Sequence, residues 1–424
     1  MKTVAEYLND CVSVAQPLPP FRVVLDGAVG CVLAQDVHSS VDVPARDLAA
    51  LDGYAVRVED VFDASADSPV VLPVIDEVRA GAGSGGSIIP RTCVRVSSGA
   101  PLPSGANAVI PLPDTDQGRA QVQIFVGGAA GDNVRRRAED LAAGQVVLRK
   151  GVRIGARQVA LLAAAGYSSV LVHPAPRVVI VTVGDELVEP GQMMREGGVY
   201  DANSHALGSA VADAGGEVFR AGQVSDDKHE LRENLEDQLV RADIILITGG
   251  LSYGGGDTVK EVLSPLGTVR FDNVAIWPGR QFGVGTVRDD GSLSGTAGAW
   301  SQGDKTKPVE QATIYCLPGD PVAALTAFEV FIRPALRHMA GYTHIHRRSI
   351  RAKAVRAWAG TTGVQEFVSA RVVGDPARGY TVEPLGEARK PSLTAYAHAN
   401  ALMVVPANLS TVAVGDELDC IVLD

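Results

Sequence analysis

The pattern of apolar and polar residues between residues 176 and 342 alternates between short apolar runs and longer amphipathic segments. Four runs are too short for helices and rich in β-branched residues, so each predicts a buried strand. These runs are residues 177–183, 217–220, 244–248 and 312–317. Helices are predicted at about residues 204–213 and 227–240, from residue 257 onward, and at 321–340. Alternating strands and helices predict a doubly wound α/β fold with a parallel sheet.

The chain on either side of this segment has a different pattern. Residues 43–125 contain short apolar runs separated by turns rich in glycine and proline, which predicts a small all-β arm. Residues 343–424 have a similar pattern and predict a second β domain, either a barrel or a sandwich. Helices are predicted at residues 4–14 and 156–165, and a polar surface insertion is predicted at residues 288–308.

Glycine and carboxylate residues follow three of the predicted strands, at the point where each strand ends. Glycine lets backbone N–H groups approach an anion closely, and a carboxylate can hold a Mg²⁺ ion that shares the anion. The alternative for each stretch alone is a tight turn with a capping aspartate. Because the carboxyl ends of parallel strands meet at one edge of a sheet, we expect the three stretches to converge on a ligand site. They contain Gly184, Asp185 and Glu186 after the first strand, Gly249, Gly250, Ser252 and Asp257 after the third, and Pro318, Gly319, Asp320 and Pro321 after the fourth.

Charge and cysteine content restrict the function classes further. The net charge of −11 argues against a nucleic-acid partner. The sequence has no uninterrupted apolar run of about 18 residues, so no membrane insertion is predicted. The five cysteines are scattered, which predicts reduced thiols in a cytoplasmic protein. The three arginines at residues 135–137 predict either a self-paired surface charge cluster or an anion clamp.

Nine short motifs occur in a characteristic order along the chain. They are ALDGYAVR, VRVSSGAPLPSGANAVIP, NVRRRAEDL, VGDEL, YDAN, SDD, TGGLSYGGGD, PGR and LPGDP. In this order they resemble the signature stretches of the MoeA family, the molybdopterin molybdotransferases that also form the E domain of gephyrin. The resemblance implies an elongated homodimer with four subdomains. These are a helical linker region (1–42 and 126–175), a β-rich arm (43–125), a MogA-like α/β domain (176–342) and a C-terminal β-barrel (343–424).

The same resemblance implies the last step of molybdenum cofactor assembly. In this step molybdate is inserted into adenylylated molybdopterin, with Mg²⁺-dependent release of AMP. The residues that carry over from the motifs form three groups. The catalytic group is Asp52, Ser98 (usually Thr), Asp140 and Glu186, the substrate-binding group is Asn203, Gly249, Gly250, Ser252, Arg280, Pro318, Gly319 and Pro321, and the metal ligands are Asp226 and Asp257.

One loop, FDNVAIWPGRQ, departs from the family pattern. Asn273 and Trp277 stand where lysines are expected, Arg280 replaces another lysine, and Gln281 replaces a proline. The loss of two charge-assisted contacts predicts weaker molybdate binding. The alternative function is a catalytically degenerate, gephyrin-like dimeric scaffold. Such a scaffold binds a short peptide of a membrane receptor, or of a cytoskeletal or division partner such as the tubulin-like FtsZ. A third alternative is another Mg²⁺-dependent nucleotide enzyme on this fold.

Overall fold

The three strands that end in glycine and a carboxylate are neighbours in one six-stranded sheet of the computed structural model. The structure describes residues 1–251, 257–266, 268–288 and 311–423. The candidate residue Ser252 and residues 289–308 of the predicted insertion therefore lie outside the described residues.

The central sheet is mixed rather than fully parallel. Its strands in spatial order are Glu217–Val224, Arg177–Val183, Ile244–Thr248, Gln311–Leu317, Gln281–Arg288 and Val269–Asn273. The first four are parallel, as predicted. Gln281–Arg288 pairs antiparallel with both of its neighbours, and neither it nor the edge strand Val269–Asn273 was predicted as a member of the sheet. They follow each other closely along the chain, and a short connection of this kind can join only antiparallel neighbours.

Helices cover both faces of this sheet. Alternate side chains of Arg177–Val183 and Ile244–Thr248 point to opposite faces, and each set belongs to a separate buried cluster. One face is covered by the helix Asn203–Ala214 and by a continuous helical segment made of Pro321–Ala327, the π-helical Phe328–Ile332 and Arg333–Met339. The other face is covered by the helices Lys228–Leu239 and Thr258–Leu263. The predicted helix at 321–340 is therefore interrupted by one π-helical segment.

The N-terminal helix Val4–Val14 packs against the central sheet, although its residues were assigned with the linker region. Its capping box joins Thr3 and Glu6. The Tyr7 ring lies 4.9 Å from Phe331 and 5.6 Å from Phe282, measured between ring centroids. The helix is therefore part of the core of the α/β domain.

Apart from the N-terminal helix, the region predicted as a helical linker contains more strand than helix. A three-stranded antiparallel sheet is formed by Phe21–Val24, Ser169–His173 and Val32–Leu33. Val37–His38 pairs with Val146–Leu148, and Ala156–Ala164 is the helix predicted here. A 3₁₀ turn at Leu25–Ala28 completes this region, which has a small apolar core of its own.

The arm and the C-terminal region are both β structures. The arm sheet has the strand order Ala108–Pro111, Gly53–Val56, Cys93–Val96, Val70–Val78 and Gln121–Ile124, with Leu48–Ala49 paired to Val134–Arg135 beside it. The C-terminal strands Gln365–Asp375, Gly379–Pro384, Ser349–Ala354, Glu417–Val422 and Ala401–Val405 form a ring in which the last strand pairs with the first. This closure makes the domain a barrel rather than a sandwich.

Several short elements complete the fold. They are the strand pairs Leu187–Val188 with Val199–Tyr200 and Trp358–Ala359 with Thr411–Val412, the strand Ile276–Trp277, the helix Leu393–Ala397, and the 3₁₀ turns Val58–Asp60, Leu112–Asp114 and Ser264–Leu266. All five cysteines are free, and four of them are buried. None of the helices within the described ranges is long and apolar enough to cross a membrane.

Candidate active site at the carboxyl ends of the central strands

A cavity of about 110 Å³ lies at the point in the central sheet where the order of the strands along the chain changes direction. From Arg177–Val183 the chain passes to Glu217–Val224 on one side of that strand and then to Ile244–Thr248 on the other. The carboxyl ends at such a reversal form the usual ligand crevice of open α/β sheets. The cavity is lined by Thr182, Val183, Glu186, Leu187, Val199, Tyr200, Asp201, Ala202, Asn203, Thr248, Gly249, Gly319 and Pro321.

The side-chain amide of Asn203 holds two strand ends together at this cavity. Its Nδ2 donates to Thr248 Oγ1 and to the Gly319 carbonyl oxygen, both at 2.8 Å. Thr248 Oγ1 in turn donates to the Pro318 carbonyl oxygen at 2.9 Å. Because a carbonyl oxygen can only accept, these contacts fix the orientation of the amide group. Both amide protons of Asn203 are thereby used.

Two polar atoms beside this network are buried without a hydrogen-bond partner among the described residues. They are Asn203 Oδ1 and Ser204 Oγ. Asp201, which is 2% exposed, accepts from Thr182 Oγ1 at 2.9 Å and from the Ser204 N–H at 3.0 Å. A buried acceptor without a donor costs about 1–3 kcal/mol. Asn203 Oδ1 is therefore suited to accept a hydrogen bond from a ligand in the cavity.

Glycine is required where the strand-end loops pass close to other backbone. Gly249 has φ +91°, and a Cβ atom there would lie 2.2 Å from the Val183 carbonyl oxygen. Gly250 has φ +62°, and its Cβ would lie 2.6 Å from Val259 Cγ2. A Cβ atom on Gly319 would lie 3.6 Å from the Gly249 Cα, which is an ordinary contact distance. The floor of the site is thus built from backbone, which leaves room for backbone N–H groups to meet a ligand.

Acidic residues from two loops meet beside the cavity. The Asp185 N–H and Asp226 Oδ2 are 3.4 Å apart, as are the Asp226 N–H and Asp185 Oδ1. Thr258 Oγ1 donates to the Asp226 carbonyl oxygen at 2.8 Å, so the helix Thr258–Leu263 begins next to these two aspartates. Among the residues that the structure describes, His, Cys, Asp and Glu side chains form no group of three or more suited to a metal ion.

The prediction that Asp257 is the N-cap residue of the following helix is confirmed in position, but not as a side-chain cap. Asp257 occupies the N-cap position of Thr258–Leu263, but its side chain makes no capping hydrogen bond. Asp227 does cap its helix, accepting from the His229 and Glu230 N–H groups. These hydrogen bonds, first that from Glu230 and then that from His229, lower the pKa of the Asp227 carboxyl below its usual value. Asp226, its neighbour, remains exposed.

The arm residues Asp52 and Ser98 lie together but away from the cavity residues. The Ser98 N–H donates to Asp52 Oδ1 at 2.7 Å, and Ser98 Oγ donates to the Ala50 carbonyl oxygen at 3.1 Å. Asp140 is exposed, and its backbone N–H donates to the Val43 carbonyl oxygen at 3.0 Å. Within the described ranges, no hydrogen bond or ion pair links these three residues to the cavity lining.

The three arginines at residues 135–137 do not pair as a single cluster. Arg137 Nε donates to Asp42 Oδ2 at 2.6 Å, and the backbone N–H of Arg137 donates to Asp47 Oδ1 at 2.7 Å. Among the described residues, the Glu139 side chain accepts only from the backbone N–H of Arg136. The side chains of all three arginines are exposed to solvent. Arg137 is therefore part of a surface charge pair, and its acidic partner Asp42 lies outside the 135–140 stretch.

The loop that carries Arg280 lies next to the proline loop of the site. A Cβ atom on Gly279 would lie 3.3 Å from Pro318 Cγ, and Arg280 is exposed. Trp277, expected where the family places a cation, is half-buried and lines a cleft against the C-terminal barrel.

Sequence reasoning missed Thr182, Thr248 and Asp201. Thr182 and Thr248 are paired in register on neighbouring strands, and each is a polar residue near the end of an apolar run. That position in the pattern was the available signal, since a hydroxyl in a buried strand needs a hydrogen-bond partner. Asp201 lies in the YDAN motif, but its burial depends on the packing of the helix that follows.

Family models and known proteins of similar sequence or structure identify the family of this chain. The family model for the MoeA N-terminal region (domain I and II) matches residues 2–166. The model described as a probable molybdopterin binding domain matches residues 179–338, and the model for the MoeA C-terminal region (domain IV) matches residues 351–423. Together these matches define a three-part protein of molybdenum cofactor biosynthesis. The chain belongs to the MoeA family.

Relatives and solved structures agree with this assignment. Molybdopterin molybdenumtransferase 1 of Mycobacterium tuberculosis is 36% identical, covering 99% of this chain and 98% of that protein. Molybdopterin molybdenumtransferase 2 of the same organism is 34% identical over the same shares. The crystal structure of the molybdopterin biosynthesis MoeA protein from Pyrococcus horikoshii OT3 superimposes with a TM-score of 0.75 at 28% identity, covering 100% of both chains. The alternative prediction of a peptide-binding scaffold receives no support from these names.

Proposed function

We propose that this protein is a molybdopterin molybdotransferase of the cytoplasm. It inserts molybdate into adenylylated molybdopterin and releases AMP. Full-length similarity to two proteins named molybdopterin molybdenumtransferase supports this activity. The observation that carries it is Asn203 Oδ1, a buried acceptor with no donor among the described residues, on a residue that lines the cavity at the carboxyl ends of the strands. A pterin offers ring N–H and amino donors that match such an acceptor.

The glycine and proline loops are proposed to hold the substrate. Gly249 and Gly319 present backbone at the cavity without side chains, and Gly250 follows in the same loop as Gly249, which suits a phosphate group. Pro318 and Pro321 restrict the backbone of the same loop. The cavity is smaller than the roughly 300 Å³ or more of most ligand pockets, so part of the substrate must lie beyond it. Arg280 is proposed to contact an oxyanion there.

Exposed carboxylates are proposed to act at the phosphoanhydride. Glu186 lines the cavity and is proposed to orient the attacking water or molybdate oxygen. Mg²⁺ commonly uses one or two carboxylates together with substrate phosphates and waters, and the exposed Asp226 with Asp257 fits that donor set. When bound, the ion would neutralise charge on the phosphates.

A homodimer is proposed to complete the site. Asp52, Ser98 and Asp140 lie on the arm and its junction, apart from the cavity residues of the same chain. The arm of a second copy could supply them to this cavity, as the family resemblance implies. The expected particle has twice the 44.2 kDa mass of the chain. Light scattering that finds only the single-chain mass at micromolar concentration contradicts this arrangement.

The activity is tested by incubating the purified protein with adenylylated molybdopterin, molybdate and Mg²⁺. AMP release and formation of molybdenum cofactor are measured together. We expect both to require molybdate, and we expect Asn203→Ala to abolish pterin binding while the protein stays folded. Pterin binding without AMP release in the wild-type protein would favour a binding role over the proposed transferase.

A further inference from the structure

The loop between residues 274 and 280 joins the C-terminal barrel to the candidate active site. It is closed by a hydrogen bond from the Val274 N–H to the Arg280 carbonyl oxygen at 2.8 Å. Within it, Ile276 and Trp277 form a short strand paired with the barrel strand Gln365–Asp375. The Gln365 N–H donates to the Ala275 carbonyl oxygen at 2.9 Å. The loop is therefore an added strand of the barrel sheet, although it belongs to the α/β domain in sequence.

Trp277 lines a narrow cleft between these two domains. The cleft is also lined by Trp358, Phe367 and Pro391 of the C-terminal domain and by Val322 of the α/β domain. The space that remains is about 10 Å³, at or below what one water molecule needs. The space left beside the indole in this cleft is therefore too small for a ligand.

The barrel side of this contact is held in place by a buried hydrogen bond. Trp358 Nε1 donates to Glu366 Oε2 at 3.0 Å, and Glu366 is 1% exposed. Glu366 is also the register partner of Trp277 in the added strand. A side chain fixed by packing and by a buried polar contact is a suitable support for a neighbouring loop.

The residues after Trp277 reach the candidate site directly. Gly279 has φ +91°, and a Cβ atom there would lie 3.3 Å from Pro318 Cγ and 3.5 Å from Ala323 Cβ. The backbone at Gly279 therefore passes against the loop at Pro318, and Arg280 follows at the surface. In the described residues Arg280 makes no side-chain ion pair, so its place is set by the backbone of its loop.

We propose that Trp277 is a positioning residue that fixes the 274–280 loop against the barrel and thereby keeps Arg280 beside the Pro318 loop. The indole takes the place of a cation in the family pattern and acts through packing instead of charge. The part that concerns Arg280 and an oxyanion rests on the proposed function. The attachment of the loop to the barrel does not depend on it.

Hydrogen exchange tests the attachment without requiring activity. In Trp277→Ala we expect the Val274 and Gln365 amides to exchange at least about tenfold faster, because each reports a hydrogen bond of the loop. Trp277→Phe should recover most of the protection. The matched control is Tyr380→Ala, which truncates a half-buried aromatic residue of the same barrel that does not line the cleft. Unchanged exchange in Trp277→Ala overturns the proposal.

Steady-state kinetics test the positioning of Arg280. We expect Trp277→Ala to raise the KM for molybdate about fivefold or more and to change kcat much less. In an Arg280→Ala background the same substitution should add little, because the positioned group is absent. Trp277→Phe should restore the KM, and Tyr380→Ala should leave it unchanged. Equal effects of Trp277→Ala in both backgrounds overturn the proposal.

The two experiments separate failure of this inference from failure of the proposed function. If the wild-type protein releases no AMP but exchange changes as expected, the proposed function fails and the attachment of the loop stands. If Trp277→Ala does not fold, Trp277→Leu replaces it, with the same direction of change expected. A lower unfolding temperature with normal exchange and normal KM reduces Trp277 to a core residue and overturns the inference.

Discussion

The Asn203 side-chain amide donates to the Thr248 hydroxyl oxygen at 2.8 Å, and through this contact a helix start and a strand end share one hydrogen-bond chain. The Thr248 hydroxyl in turn donates to the Pro318 carbonyl oxygen. The bond therefore sets the relative positions of all three elements that surround the cavity. Asn203 starts a helix, Thr248 ends one central strand, and Pro318 follows the neighbouring strand Gln311–Leu317.

Asn203→Asp should disrupt this chain because a carboxylate has no proton to donate to Thr248 Oγ1 or to the Gly319 carbonyl oxygen. We expect the free energy of unfolding to fall by about 1–3 kcal/mol and binding of adenylylated molybdopterin to be lost. Urea unfolding and ligand titration measure the two effects. Asn9→Asp makes the same charge change at an exposed position and should alter neither. Wild-type binding by Asn203→Asp would place the pterin elsewhere.

Mixing two inactive variants should restore activity if each site takes its arm from a second copy. Asp52→Ala removes an arm carboxylate, and Glu186→Ala removes a cavity carboxylate. In a mixed dimer one site carries both changes and the other carries none, so about a quarter of wild-type activity is expected after full subunit exchange. AMP release before and after mixing is the measurement. If activity stays absent after verified exchange, the two carboxylates act within one chain.

Alkylation of the native protein should be confined to Cys31 and should accelerate with pH. Burial raises the pKa of Cys31 above its ordinary value of 9.0. Burial also raises the pKa of Cys93 and of Cys420 to about 12, and it raises the pKa values of Cys11 and Cys316 further. Because only the thiolate reacts, the rate at Cys31 should still be rising at pH 9.

Thiol counting provides the check on this pattern. One thiol should react in the native protein and five after denaturation, and Cys31→Ser should bring the native count to none. A rate that reaches its plateau below pH 8 would indicate a lowered rather than a raised pKa. Two or more rapidly reacting thiols would mean that the buried cysteines are more accessible than described.

Removal of Arg347 should destabilise the protein strongly. Its Nε and Nη2 donate to the two oxygens of Glu329 at 2.7 and 2.9 Å, and its Nη1 donates to the Leu423 carbonyl oxygen at 2.6 Å. The Glu329 side chain is only 8% exposed, so Arg347→Ala leaves a buried carboxylate with Arg333 at 3.9 Å. We expect a loss of about 3 kcal/mol in the free energy of unfolding, measured by urea denaturation.

The control for this prediction is an exposed arginine of the neighbouring strand. Arg351 lies 3.7 Å from Asp419, and both side chains are about two-thirds exposed. Solvent screens such a pair, so Arg351→Ala should cost at most about 1 kcal/mol. Equal losses of unfolding free energy in the two variants would mean that burial of the Arg347–Glu329 pair adds nothing measurable to stability.

The sequence was sufficient for elements with uninterrupted local patterns. Arg177–Val183 and Ile244–Thr248 were predicted with their observed bounds because apolar β-branched runs with glycine at the end have few alternatives. The antiparallel strand Gln281–Arg288 was missed because Gly283 and Gly285 interrupt its apolar pattern. Those glycines are needed for close packing, since a Cβ on Gly285 would lie 2.1 Å from the Thr268 carbonyl oxygen.

Candidate residues were predicted best where they follow neighbouring parallel strands. The stretches around Gly249 and Gly319 meet because parallel strands end at a common edge, which the alternation of elements already predicts. The separation of Asp52 from Glu186 within one chain depends on how domains are arranged, and local sequence carries no such information. The same holds for Trp277, whose location is decided by packing against the barrel. The assigned roles of these residues and the bounds of the four subdomains stay predictions.

The contact between Gly249 and the Val183 carbonyl oxygen limits how this protein can diverge. Any side chain at position 249 would overlap backbone atoms, and backbone cannot move aside as a flexible side chain can. Selection can therefore alter the ligand preference of the pocket only through positions that carry side chains, such as Glu186 or Asn203. Laboratory evolution toward a different oxyanion or pterin should accumulate its substitutions at those positions and on the Arg280 loop, with codon 249 unchanged in every surviving lineage.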